Sequence, residues 1–315
     1  MKRCYLLILY FVTFTLFACS QGNKYLVAFE NTKAFDLAKA IEREDLRAIE
    51  KIVEKDSTLL EFSNPTDGSN VLQLSIKADK YKSFEKLLEI GADPNYINPY
   101  TKYSALIESI NPFGSQFEWR IDNSYLELLL QYGADPNYAV EEDFVNEKGY
   151  YIRAISPLLK ASSLDLDAVK TLIKYGADPN KRIGEKGILP FGEALESSNI
   201  DIIYYFLDSI GVDVHQPLYI RSKDSLFIQD FIVNKFTKAK LMGDTVEMEL
   251  LKNQNEGIEK ANESLWQLIQ KLESMGVDLY ASEQLPLVRI EKRFDLCAKS
   301  KDNENDKRTS PSLAG

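Results

Sequence analysis

Histidine and cysteine are almost missing from this chain of 315 residues, which has one histidine, His215, and three cysteines, Cys4, Cys19 and Cys297. No second histidine can complete an imidazole relay, and no His/Cys set can close a tetrahedral zinc site around His215. Basic residues are in deficit too, 38 against 48 acidic ones, for a formal charge of −10. A surface of that sign repels phosphate backbones, so nucleic acid is not the expected partner. No glycine-rich loop follows a strand pattern to cradle a phosphate, and no cofactor is expected. Long apolar runs are lacking except for Tyr5–Phe17, which is shorter than a membrane-spanning helix requires. Hydrophobic residues nevertheless make up 44% of the chain, enough for a sizeable core.

Lys2 and Arg3 precede that apolar run, and Leu16-Phe17-Ala18-Cys19 closes it. A positive start, a short hydrophobic stretch and a small residue before the cut are the parts of an export signal, expected over residues 1–18. The closing tetrapeptide resembles the bacterial lipobox, although Phe17 replaces the small residue usual there. The resemblance implies that Cys19 is lipidated and becomes the first mature residue, with 19–33 as a tether. Ser20 rather than aspartate follows it, which favours the outer membrane. Removing 1–18 takes away Lys2 and Arg3, leaving 36 basic against 48 acidic side chains, or −12. Cys297 would then be the only thiol left, so no disulfide can form within the mature chain.

What the sequence has in abundance is repetition. Residues 87–95 read LLEIGADPN, 129–137 read LLQYGADPN and 172–180 read LIKYGADPN, with weaker copies at Gly211-Val212-Asp213 and Gly276-Val277-Asp278. Each copy ends an apolar helical pattern. Its glycine suits the left-handed residue that terminates a helix, and Pro94, Pro136 and Pro179 keep the helix from resuming. The aspartates recur as turn residues rather than as acids in a site, and His215 stands where Asn95, Asn137 and Asn180 stand in the other copies.

About twenty residues before each stop lies a helix opening, clearest in Ser156-Pro157-Leu158-Leu159-Lys160-Ala161. It resembles the Thr-Pro-Leu-His-x-Ala signature of ankyrin repeats, whose unit is about 33 residues. Asn70-Val71-Leu72, Ser104-Ala105-Leu106, Leu189-Pro190-Phe191 and Ser225-Leu226-Phe227 align with it. The resemblance implies an all-α ankyrin-repeat solenoid over 34–297 with about six repeats, the first a degenerate cap. Gln73, Ile107, Leu159, Gly192 and Ile228 replace the family's histidine, so the hydrogen bond that histidine makes between repeats is expected to be missing. Irregular spacing between stops assigns insertions to 111–122, 140–153 and 238–263, the first two bearing Phe117, Trp119, Tyr150 and Tyr151. The polar stretch 298–315 is expected to be a disordered tail.

With no acid–base pair in view, function is expected to lie in surface rather than catalysis, and the protein is expected not to be an enzyme. In ankyrin proteins the hairpin tips and the open side of the first helices form one concave face. The alignment puts Tyr96, Tyr138 and Arg182 at tips, flanked by Tyr100, Tyr103, Tyr150 and Tyr151. It puts Leu74, Glu108, Lys160, Glu193 and Gln229 on the first helices. Tyrosine and arginine are enriched at binding hot spots, and the competing reading of these tyrosines is that they plug gaps between hairpins. The expectation is a monomeric, lipid-anchored envelope protein that binds another protein and meets the membrane only through its anchor, with toxin neutralisation as a narrower form. The alternative is an enzyme or enzyme accessory with its site in the insertions.

Overall fold

The structure is a computed structural model and describes residues 25–113, 120–220, 225–226, 228–229 and 267–278. The leader, Cys19, residues 114–119 with Phe117 and Trp119, the insertion at 238–263, Cys297 and the tail lie outside the described residues. The fold is all-α with modest strand content, and the chain divides after Ile210 into two compact units.

In the first unit the helices come in pairs: α1 (Phe35–Glu42) with α2 (Leu46–Lys55), α3 (Val71–Lys77) with α4 (Tyr81–Glu89), and α5 (Ala105–Ser109) with α6 (Asn123–Gln131). Then follow α7 (Pro157–Ser162) with α8 (Leu166–Lys174), and α9 (Pro190–Glu196) with α10 (Ile200–Tyr205). The principal contacts run within a pair and between consecutive pairs, first helix on first helix and second on second. The N-termini are set by short polar side chains. Asn70, Ser104 and Ser156 accept from the third backbone N–H onward, as do Asp45 and Asp165, while Asp122 accepts from Ser124. Each such cap stabilises its helix by about 1 kcal/mol.

First helices are buried on nearly every side. Val71–Ile76 in α3 and all of α5 are buried, since each lies between the neighbouring first helices and its own partner. Second helices instead bury one stripe, Phe84, Leu87 and Leu88 in α4, and Tyr125, Leu126, Leu129 and Leu130 in α6. The Tyr125 ring packs 4.9 Å from Phe84 and 5.2 Å from Tyr81, and its hydroxyl donates to Asp79 at 3.1 Å. Burial and the Asp79 carboxylate push its ionisation well above the usual phenol range.

The three GADPN copies end α4, α6 and α8 in the same way. Gly91 has φ +96°, Gly133 +87° and Gly176 +90°. After each, the alanine N–H reaches five residues back, Ala92 to Leu87, Ala134 to Leu129 and Ala177 to Leu172, all at 2.9 Å. The glycine N–H of each stop bonds to Leu88, Leu130 or Ile173 at 3.0–3.1 Å, and the crossed pair satisfies carbonyls the helix end would leave bare. The asparagines then tie consecutive stops together. Asn95 Nδ2 donates to the Gly133 carbonyl (3.0 Å) and its Oδ1 accepts from Asp135 N–H (2.8 Å). Asn137 repeats the exchange with Gly176 and Asp178, at 2.8 Å both ways. Asp93, Asp135 and Asp178 accept from the N–H two residues on, as turn residues do.

The stop after α10 differs, and chain length explains it. From N-cap to glycine, Lys80 to Gly91, Asp122 to Gly133 and Asp165 to Gly176 are eleven positions each, whereas Asn199 to Gly211 is twelve. The surplus residue is absorbed where Phe206–Ile210 winds as a π turn, the usual way a helix accommodates one residue too many.

One expectation from the sequence is corrected here. Gln73 supplies a bond between pairs that the missing histidine was expected to forfeit: its Nε2 donates to the Tyr103 carbonyl (3.1 Å), and its Oε1 accepts from buried Asn98 (3.3 Å). A side-chain amide offers a donor and an acceptor at similar reach, so it can do the imidazole's work.

In the second unit, Tyr219–Ile220 pairs antiparallel with Ser225–Leu226, and residues 267–274 are helical. Gly276 follows that helix at φ +85°, with Val277 N–H again reaching back to Leu272 (3.0 Å). A Cβ on Gly276 would lie 3.9 Å from the His215 ring, so the one histidine sits against the next stop, and Asp213 accepts from its N–H at 2.9 Å. That is the turn position its alignment with the asparagines implied.

Candidate protein-binding surface

Consecutive pairs of the first unit are joined by antiparallel hairpin turns, closed at Asn64–Ser69, Asn98–Tyr103, Val140–Ile155 and Ile183–Ile188. The first two have one design. Asn64 Oδ1 accepts from Thr66 and Asp67 N–H, and Asn98 Oδ1 from Tyr100 and Thr101 N–H. A left-handed residue follows four positions after each asparagine, Gly68 at φ +77° and Lys102 at +58°. The sequence carried a signal for these turns that the repeat alignment passed over, since Asn64-Pro65 and Asn98-Pro99 are turn-initiating pairs.

Much of the expected tip surface is spent holding one tip to the next. Tyr96 is only 9% exposed and donates its hydroxyl to the Gly68 carbonyl (2.7 Å). Tyr138 is half-buried and donates to the Lys102 carbonyl (2.7 Å). These carbonyls belong to equivalent residues of successive tips, so the two tyrosines are gap-filling braces, and Tyr96 is withdrawn from the open surface for that reason. Lys181 occupies the corresponding place after the third stop and donates to the Asn137 carbonyl (2.7 Å). Arg182, expected there, is half-buried and tied to the Gly187 carbonyl (2.9 Å), with burial lowering its ionisation from the usual value. Tyr103 is half-buried, accepts from the Arg153 backbone and has its ionisation raised by burial.

The first-helix positions are likewise not open. Leu74 is 2% exposed and Glu108 9%, because neighbouring first helices close over them. Glu193 holds Arg153 in a two-pronged contact of 2.8 and 3.4 Å. Lys160 lies half-buried across the end of α5, donating to the Ile107 carbonyl and to Asn111 Oδ1, both at 2.8 Å. Burial holds its ammonium down to about 8, opposed by the Glu108 carboxylate. An amine so placed caps a helix C-terminus. Gln229 belongs to the second unit and is half-buried.

What stays open is the enlarged third hairpin. The strand Phe144–Val145 pairs antiparallel with Tyr151–Ile152, Val145 opposite Tyr151 and Phe144 opposite Ile152. (The other paired strands of this unit, Pro112–Phe113 with Arg120–Ile121, lie between α5 and α6.) The base of the hairpin is fixed, since Ala154 is buried with Leu159 and Ile183, and Ala139 and Ile188 pack against them. Its end is braced across two earlier tips. Lys148 Nζ donates to the carbonyls of Pro65 (2.7 Å) and Thr66 and lies 4.3 Å over the Tyr100 ring, and the Tyr100 hydroxyl also reaches the Pro65 carbonyl at 3.3 Å. Asn146 Oδ1 accepts from Lys148 and Tyr150 N–H to shape the turn. Between the fixed base and the braced end, Tyr150 and Tyr151 are 65% exposed and Val145 64%. Tyr151 donates to the Asp143 carboxylate, which also accepts from Ala154 N–H at 2.6 Å. These two bonds, the hydroxyl's first, hold the Asp143 carboxyl below the usual range.

Among the described residues no group of three or more His, Cys, Asp and Glu is placed to hold a metal ion. Among them also, no helix is long and apolar enough to cross a membrane. No protein-family model matches the chain, and no curated protein matches it.

Proposed function

We propose that this is a lipid-anchored ankyrin-repeat protein of the bacterial envelope that holds another protein through the arm at residues 140–155. The observation that carries the reading is the arm itself. Val145, Tyr150 and Tyr151 are three of seven well-exposed large apolar side chains among the described residues, and they fall within seven positions of one braced hairpin. Apolar side chains concentrated on a pre-ordered element are what a recognition surface requires, because little entropy remains to be lost on binding. Paired helices, crossed-bond glycine stops and neighbour-to-neighbour contacts support the repeat reading. Lys2, Arg3 and the Leu16–Cys19 tetrapeptide support export and anchoring. Neutralising an exported toxin is the narrower form of this role and rests on fold analogy.

The test is site-specific photo-crosslinking in living cells. A photoreactive residue in place of Tyr151 should crosslink one discrete protein, and the same group in place of Lys170, exposed on α8, should not. Identical products from both positions, or none from position 151, would refute the arm as a docking element. For the anchor, Cys19→Ser should abolish palmitate labelling and release the protein from the detergent-extracted membrane fraction. Absence of label on the wild type would remove the lipoprotein reading.

A further inference from the structure

The charges around the arm are lopsided. Of its carboxylates, only Glu141 pairs closely with a cation among the described residues, Lys181 at 3.1 Å, while the charges of Arg153 and Lys186 act on Asp143 from farther off. Glu142, Asp143 and Glu147 are exposed and have no Lys or Arg nitrogen within 4.0 Å among the described residues. Asp143 is held in its ionised form by the Tyr151 hydroxyl and the Ala154 N–H. The arm's own cations are turned to other work, Lys148 on the Pro65 and Thr66 carbonyls and Arg153 on Glu193. Facing outward, then, are three carboxylates, two tyrosine rings and a valine.

We infer that the arm receives a cationic protein segment, one that offers arginine or lysine side chains together with an apolar residue. This rests on the docking role proposed above and names the chemistry of its partner. A guanidinium or ammonium over the face of Tyr150 or Tyr151 is attracted by the ring and gains from the flanking carboxylates, while an apolar side chain covers Val145. The same carboxylates oppose the other occupants. A second copy of this chain carries the same formal charge of −10, and an anionic lipid surface or a nucleic acid is repelled.

The experiment uses the full-length chain in non-ionic detergent and dye-labelled twelve-residue peptides, read by fluorescence anisotropy. One peptide alternates arginine and leucine, a second has glutamine for every arginine, and a third has serine for every leucine. The arginine–leucine peptide should bind about tenfold or more tightly than either of the others, a difference that shrinks as salt rises. Tyr150→Ser with Tyr151→Ser, and separately Glu142→Gln with Glu147→Gln, should each weaken that binding several-fold. Glu127→Gln with Asp167→Asn, on exposed parts of α6 and α8, should leave it unchanged. All six side chains are exposed or half-exposed, so thermal melting should report folded protein in every case.

Equal binding of the glutamine–leucine peptide would overturn the cationic partner while leaving the arm as a docking site. Equal binding of the serine peptide, insensitive to the tyrosine pair, would overturn it as diffuse attraction to an acidic protein. If no peptide binds while the crosslinker at position 151 still captures a protein, the cationic inference alone fails. If neither occurs, both fail.

Discussion

Tyr96 and Tyr138 follow identical five-residue stops and look alike in the sequence, as exposed aromatics at the ends of turns. Their hydroxyls turn out to satisfy main-chain carbonyls of the preceding tip, Gly68 and Lys102. The sequence could not reveal this, because the acceptors lie 28 and 36 residues away and no local pattern marks a carbonyl as needing a donor. Tyr96→Phe should therefore cost stability, about 1 kcal/mol for a buried acceptor left unpaired, measured as a lower denaturation midpoint with unchanged slope. An unchanged midpoint would mean the hydroxyl is idle. Gly68 and Gly91 separate two kinds of glycine. A Cβ at Gly91 meets nothing within 4 Å, so Gly91→Ala should cost only the left-handed backbone, about 1–2 kcal/mol. A Cβ at Gly68 would lie 2.6 Å from Asn98 Oδ1 and 2.8 Å from the Tyr100 ring, so Gly68→Ala should be clearly the worse of the two. Lys160 gives a pH signature of its own. Burial depresses its folded-state ionisation to about 8, so between there and the ordinary lysine value near 10.4 the unfolded chain holds the extra proton. Stability contributed at this position should rise as pH climbs through that window. Urea titrations at pH 7.5 and 9.5 should show wild type gaining on Lys160→Met, and a constant difference would show that the amine titrates normally.

Helix ends were the most legible elements, and the reason is local chemistry. Glycine at a left-handed position followed by a proline three residues later states a stop within one turn of chain, so Gly91, Gly133 and Gly176 could be placed without any tertiary knowledge. The insertion-bearing turns were legible only as surplus length. Whether 140–153 would be a floppy loop or a braced strand pair depended on Lys148 finding Pro65 and Thr66, far back in the chain. The π turn after α10 lies between these cases. Counted from the N-cap, Phe84 and Leu88 of α4 fall at the fourth and eighth positions, and so do Ile203 of α10 and Leu207 of the π turn. The buried register is thus unchanged, and the added residue falls between Leu207 and Gly211. Deleting Ser209, which is exposed, should let the helix close as the others do and leave the melting temperature within a few degrees of wild type. Deleting Glu89 from α4, which already has the standard length, should pull Gly91 out of register and destabilise strongly. Equal damage from both deletions would contradict the account of the π turn as an absorbed residue.

Across the first unit the principal helix contacts join each pair only to the pairs before and after it, and the asparagine exchanges follow the same rule. Asn137 binds the stop after α6 to the stop after α8 and reaches no further. In a stack of this kind stability is a sum over units and their interfaces, so a weakened interface should open locally rather than melt the whole. Asn137→Ala removes two hydrogen bonds between neighbouring stops. Amide hydrogen exchange should speed up in α6, in α8 and in the turns at 133–138 and 176–180, while α1 and α2 keep their wild-type protection. Lys148 is the exception to nearest-neighbour contact, since it ties the third tip to the first across the ring of the second. Lys148→Met should therefore loosen residues 143–152 and 64–69 together, two segments that share no helix. The same two variants decide how the unit unfolds. If Asn137→Ala raises exchange uniformly from α1 to α10, the unit opens as one cooperative block. If Lys148→Met leaves 64–69 as protected as before, the arm is held by its base alone, and the fixed presentation of Tyr150 and Tyr151 loses its cause.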